Sequence, residues 1–322
     1  MPNLITHTIF ARKVFENLED SKYKTWISEN KKEYTIGTNG PDFLFFHDLF
    51  PLWKKQDRKI ANIGSKIHAK NINLFFETAI DVYTKETDET IKKAMAAYIC
   101  GHYLHWQLDS IMHPYVVYRT GFKEKNSSSY HHRFESMMDT MLLKHYYNTS
   151  IKQFKTYEIC HRSALSFDVI ARIYIPCVKA CLNKEISKKE IVESLQTWEK
   201  AQRRLYDPYG IKFACVHTIE KLLNQTWLFS GNIVKAKVDT KYDVCNLKKT
   251  IWKHPCYGNE SSDSVYDLMD YAIKQAKIGT DLLFNALETN DCSALCAFIQ
   301  NKTYNNGATD KAERKYKDVI YK

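Results

Sequence analysis

Apolar positions along this chain recur at intervals of three and four rather than two, the spacing of a helical stripe. Over residues 4–19, Leu4, His7, Ala11, Val14 and Leu18 fall near one face. Over 57–83, Ala61, Gly64, Ile72, Phe75 and Ala79 share a side with His68. Residues 87–113 form another long periodic segment, for which Pro114 predicts a stop because its ring cannot continue a helix. Further helices are expected over 129–147, 161–182, 187–205, 209–229 and 263–289. The last opens at Ser264 with Asp267 three residues on, a pattern like a capping box. Residues 30–42, ending Gly37-Thr38-Asn39-Gly40-Pro41-Asp42, and residues 231–262 read as loops. The pattern predicts an all-α fold, a multi-helix bundle.

Composition supports that expectation. The 322 residues include only 10 Gly and 7 Pro, fewer turn residues than a sandwich or barrel uses. The length suffices for a well-buried core. We expect a metal-binding helical region over 1–148 and a helical C-terminal region over 149–322 packed on it as one compact unit. The start, MPNLITHTIFARKVF, lacks the pattern of a signal peptide, and no apolar run reaches the roughly 18 residues of a membrane span. A cytoplasmic location is the resulting expectation. Nine cysteines, an odd number without compact disulfide spacing, agree with it. Cys177/Cys181 and Cys292/Cys296 are four apart and read as buried thiols rather than zinc ligands. The formal net charge of +10 suits an acidic partner such as a phosphate ester, although dispersed lysines on helix surfaces explain it more simply.

Histidine placement changes the picture. Eight of twelve lie before residue 136: His7, His47, His68, His102, His105, His113, His131 and His132. On a helix, His105, Asp109 and His113 form one column, each a turn from the next. A carboxylate between two imidazoles can bridge two metal ions while each histidine serves a different one. His131 and Glu135 repeat the i, i+4 pairing on the following helix, and His68 offers a further nitrogen from an apolar face. One zinc is expected on His113, His131 and Glu135, the other on His105 and His68. His7 and Asp42 look placed for a third metal. His102 is expected in a core or supporting role, and His132 is expected to point away from the His131 face. Burying so many ionisable groups costs several kcal/mol each unless they are paired or coordinated, which favours metal over solitary core histidines.

These residues, in this order, resemble the zinc-dependent phospholipase C family, which shares its superfold with single-strand-specific zinc nucleases. The resemblance runs through Thr6-His7, Gly40-Pro41-Asp42, His68, Gly101-His-Tyr-Leu-His105-Trp-Gln-Leu-Asp109-Ser-Ile-Met-His113-Pro-Tyr115 and His131-His-Arg-Phe-Glu135. Leu205-Tyr-Asp-Pro-Tyr-Gly-Ile-Lys212 and Trp252-Lys-His-Pro255 extend it, as in a bacterial intracellular branch. The family implies a helical bundle with a zinc cluster of two or three Zn2+ ions in its core. Carried over by position, His68, His105 and Asp109 match one site; Asp109, His113, His131 and Glu135 match the second, with Asp109 bridging; His7 and Asp42 match the third. The family completes that third site with its N-terminal amine and carbonyl, which here implies Pro2 after removal of Met1. His113 stands closer to Asp109 than in secreted relatives.

The expected activity is phosphodiester hydrolysis, a metal-activated water attacking phosphorus, with Asp42 and Asp109 as catalytic carboxylates. The expected partner is a phosphate ester, either a phospholipid or a soluble phosphodiester, with nucleic acid entering only as a substrate. Two other readings stay open. One is a nuclease or nucleotidase of the related superfold; the other is a non-catalytic protein whose metals hold the fold.

Overall fold

A computed structural model describes residues 4–51 and 55–321. Thirteen α-helices occupy the described residues, in chain order: α1 Leu4–Asn17, α2 Lys22–Glu29, α3 Lys31–Gly37, α4 Lys59–Ile67, α5 Ile72–Lys85, α6 Glu89–Thr120, α7 Ser127–Tyr147, α8 Thr156–Ile159, α9 Ala164–Leu182, α10 Lys188–Leu205, α11 Ile211–Leu222, α12 Val265–Thr289 and α13 Ser293–Ile299. The fold is all-α. Its one sheet among the described residues is a two-residue antiparallel pair, Trp252 opposite Ser261 and Lys253 opposite Glu260. No described helix is long and apolar enough to cross a membrane.

The axis of the bundle is α6, buried almost without interruption from Ala94 to Tyr118. Helices α1, α2, α3, α7, α9 and α12 pack against it. A helix covered on every side needs apolar residues all round, which is why α6 carries no single greasy stripe. Where its column of polar residues turns inward, the surrounding helices close over it. Segments from both ends of the chain feed one hydrophobic core, from Leu4 and Ile5 to Ile299 and Tyr304.

Several local expectations hold to within a residue or two. Helix α12 starts at Ser264, whose side chain accepts from the Asp267 backbone N–H while Asp267 accepts in return. The same reciprocal cap opens α10 at Ser187 and Glu190. Others differ. The expected helix over 57–83 is two helices, because Asn71 takes a left-handed conformation (φ 57°) that ends one turn before the next begins. His68 therefore sits at the C-terminal cap of α4. The expected loop over 30–42 contains α3, whose seven residues gain little from propensity and depend on packing against α6.

Pro114 does not stop α6, which runs six residues past it to Thr120. A proline inside a helix frees the carbonyl four residues earlier and crowds it. Here that carbonyl is Ser110 O, and the backbone of Gly307 packs onto it so closely that a Cβ there would lie 2.0 Å from the oxygen. The helix is buried on both sides of the proline, so packing outweighs a local cost of about 3 kcal/mol.

Candidate metal centre

Five separate stretches of chain deliver side chains to one place. His7 comes from the second turn of α1, Asp42 from the start of a short 3-10 helix Asp42–Phe46, and His68 from the end of α4. His105, Asp109 and His113 descend one face of α6, and His131 and Glu135 lie one turn apart on α7. The turn before Asp42 is built around Gly40, which takes a positive φ of 49° and lies against the His105 ring; a Cβ there would come within 2.2 Å of the ring. Only glycine allows that turn to approach the imidazole.

The close contacts form a continuous chain. Asp42 Oδ1 is 3.0 Å from His68 Nε2 and 3.8 Å from His105 Nε2. His105 Nε2 is 3.3 Å from Asp109 Oδ2. Asp109 Oδ1 stands 3.1 Å from His7 Nε2 and 3.6 Å from His113 Nε2. Glu135 Oε1 is 3.4 Å from His113 Nε2 and 2.8 Å from His131 Nε2. Seven of these eight residues are buried and His131 is half-buried.

Ligand atoms gather in three groups, each with all atoms within 4.8 Å of one another: His7, His105 and Asp109; Asp42, His68 and His105; His113, His131 and Glu135. All eight side chains singled out in the sequence thus meet. Their grouping differs from the carried-over one. Asp42 joins His68 and His105, His7 joins His105 and Asp109, and His7 and Asp42 do not form a pair of their own. Asp109 turns one oxygen toward His105 and the other toward His7 and His113, as a bridging carboxylate would. Pro2 lies outside the described residues.

The donor set fits zinc on two counts. Two ligands on one tetrahedral zinc, each about 2.0–2.1 Å from it, are ~3.4 Å apart, near the centre of the observed separations. Moreover, His7 Nε2, Asp42 Oδ1, His105 Nε2, Asp109 Oδ2 and His113 Nε2 are buried without a hydrogen-bond partner among the described residues. Each such group costs about 1–3 kcal/mol if left unsatisfied. Cations between them relieve several at once.

Second contacts fix the imidazoles for this task. His68 Nδ1 bonds Gly64 O at 2.8 Å, and His113 Nδ1 bonds Tyr304 O at 2.7 Å, which leaves Nε2 of each ring for a metal. Burial drives His105 well below its ordinary pKa, into the neutral form a ligand needs, and pushes His131 down in the same way. In His113 burial is outweighed by Asp109, Glu135 and the Tyr304 carbonyl, so its pKa rises. Occupying that position would release a proton. Burial raises the Asp109 carboxyl, but His113, His105 and His7 outweigh it and hold the group ionised.

His102 takes a core role: Tyr304 Oη lies 2.8 Å from its Nε2 and Tyr174 Oη 3.3 Å from its Nδ1, and burial lowers its pKa to about 3. His47 stands apart, 3.4 Å from Glu193. His132 does not point away from the site. It lines the same cavity as His131, because adjacent positions on α7 both border that opening.

Two supports were not legible in the sequence. Tyr304 is fully buried and touches the centre through its carbonyl while its hydroxyl meets the core residue His102, yet it lies 191 residues from His113 in an irregular segment. Asp139 sits one turn beyond Glu135 and accepts from the backbone N–H groups of Ile5 (3.4 Å) and Thr6 (2.9 Å) and from the Thr6 hydroxyl (2.5 Å). It clamps the start of α1 onto α7 and so aligns His7. The spacing from Glu135 is a signal that could have found it. Burial pushes the Asp139 carboxyl well above its ordinary pKa, and Asp139→Ala is expected to lower stability by about 1–3 kcal/mol through the donors left unsatisfied on α1. Urea unfolding of the metal-free protein checks this, and an unchanged midpoint would remove the clamp.

No curated protein and no solved structure matches the chain. Residues 6–185, more than half its length, match the family model described as zinc-dependent phospholipase C. That span holds all eight converging side chains, whose burial, donor chemistry and spacing suit a cluster of divalent cations. On both grounds, the chain belongs to the zinc-dependent phospholipase C family.

Proposed function

We propose that this protein hydrolyses phosphodiesters, with zinc held by His7, Asp42, His68, His105, Asp109, His113, His131 and Glu135 and with water attacking phosphorus. When bound, zinc supplies Lewis acidity toward the phosphate and a nucleophile from water at neutral pH. The chain's own groups do the rest. Asp42 orients the attacking water and accepts its proton. Asp109 holds the positions of its three histidines relative to one another. The Tyr304 carbonyl and Gly64 carbonyl keep the imidazole rings of His113 and His68 turned inward.

One observation carries this reading over a purely structural one. A cavity of about 310 Å3 opens beside the donors and is lined by Asp42, His68, His113 and His131. Structural zinc sites are closed, whereas catalytic ones keep a position open. The cavity supports a substrate that reaches the cluster directly.

The test combines metal analysis with a substrate panel: phosphatidylcholine, single-stranded DNA and an aryl phosphodiester. Zinc-loaded protein is expected to turn over a phosphodiester, to lose that activity on chelation and to regain it with zinc. A fully metallated protein inert toward all three would favour the non-catalytic reading. Preference for DNA would favour the nuclease.

A further inference from the structure

The cavity beside the donors contains a cation from the far end of the chain. Arg314 lines it together with Ser65, Ser127, Ser128 and Asn305. The tail that carries Arg314 is held by its backbone: the N–H groups of Lys315 and Tyr316 both donate to Pro255 O, and that of Asp318 donates to Tyr118 O. Arg314 is half-buried, and among the described residues its guanidinium makes one hydrogen bond, from Nη2 to Asn305 O at 3.1 Å. No carboxylate among the described residues pairs with it. The nearby Glu124 is occupied by Lys317, and Arg119 by Asp318. Among the described residues lining the cavity, Asp42 is the only acid, and it faces His68 and His105.

A guanidinium has five N–H donors in a planar fork that matches the oxygens of phosphate or carboxylate. Among the described residues, four of those donors find no partner. Leaving a charged group partly desolvated without a counter-ion is costly, which argues for an anion in the cavity. The cavity also carries Phe45, Phe122 and Asp42, but a cationic headgroup such as choline would be repelled by a guanidinium that no carboxylate among the described residues neutralises.

We propose that Arg314 is a specificity-determining residue that selects phosphate esters carrying a second anionic group over those carrying a quaternary ammonium. This rests on the hydrolase reading for its role in turnover, but the recognition is measurable by binding alone. It involves a residue outside the span matched by the family model.

The full-length, zinc-loaded protein is titrated calorimetrically with phosphoglycolate and with phosphocholine. Wild type is expected to bind phosphoglycolate at least about tenfold more tightly, the scale of a charge-assisted hydrogen bond. Arg314→Gln is expected to abolish that difference, and Arg314→Lys to restore part of it. Zinc content and melting temperature of both variants show whether they are folded. Equal affinities in wild type, or an Arg314→Gln variant that keeps the full discrimination, would overturn the proposal. Displacement of phosphoglycolate by vesicles containing cardiolipin, which carries two phosphates, assigns the second anionic group to a lipid; displacement by glycerol bisphosphate but not by vesicles assigns it to a soluble ester. If Arg314-dependent binding persists while no phosphodiester is hydrolysed, the hydrolase reading fails and the anion subsite stands. If hydrolysis is robust but shows no preference between the charge classes, the reverse holds.

Discussion

Replacing Asp109 with alanine is expected to strip metal from more than one position and to lower phosphodiester turnover by at least about 10³-fold, the upper range for loss of one preorganised electrostatic group. The reason is its central place. Its oxygens stand 3.1 Å from His7, 3.3 Å from His105 and 3.6 Å from His113, so it meets three of the site's histidines, one on α1 and two on α6. Elemental analysis of the purified variant should show less zinc per chain than wild type. Asp109→Asn separates charge from shape: it fills the same volume but cannot neutralise a cation with both oxygens. If either variant kept full zinc content and wild-type turnover, the bridging role would be wrong, and the hydrolytic chemistry would have to be sought elsewhere in the fold.

The second large effect is on stability. Chelating the metal is expected to lower the melting temperature by on the order of 10 °C. A ligand present at 1,000 times its Kd stabilises by about 4 kcal/mol, and a chain of this size shifts by about 2 °C per kcal/mol. The physical origin lies in the buried nitrogen and oxygen atoms of His7, Asp42, His105, Asp109 and His113, which have no hydrogen-bond partner among the described residues. Calorimetric scans before chelation, after it, and after zinc is returned provide the measurement. A melting temperature that stays put after metal loss is verified would mean that these groups are satisfied in some other way.

These two effects have a common root. The fold places ionisable groups in its interior, several of whose nitrogen and oxygen atoms lack a hydrogen-bond partner among the described residues, and their spacing suits cations. The backbone carbonyls of Tyr304 and Gly64 and the carboxyl of Asp139 then set ring orientation and helix position around them. Cutting the Asp139 clamp would act through helix placement rather than through coordination. Its consequences should therefore appear first in unfolding of the metal-free chain.

Much of the centre was legible in the chain itself. The i, i+4 column on α6 and the His131/Glu135 pair on α7 follow from helical periodicity, which depends only on local backbone geometry. Helical periodicity also placed α10, and the Ser264/Asp267 cap placed the start of α12. It failed where long-range packing overrode a local signal. Pro114 reads as a stop, yet burial on both sides and the Gly307 backbone at Ser110 O keep α6 continuous. The segment before Asp42 reads as a loop, yet packing on α6 makes part of it helical.

The sequence by itself determined which residue types could bind metal, and which of them share a helix face, because both follow from chemistry and a fixed helical pitch. Only the tertiary structure decided that Asp42 stands with His68 and His105, that His7 faces Asp109, and that Tyr304 and Arg314 reach the centre from the other end of the chain. Those contacts join residues from opposite ends of the chain, the His113–Tyr304 pair being 191 positions apart, and nothing in local periodicity encodes how separate helices are set against one another.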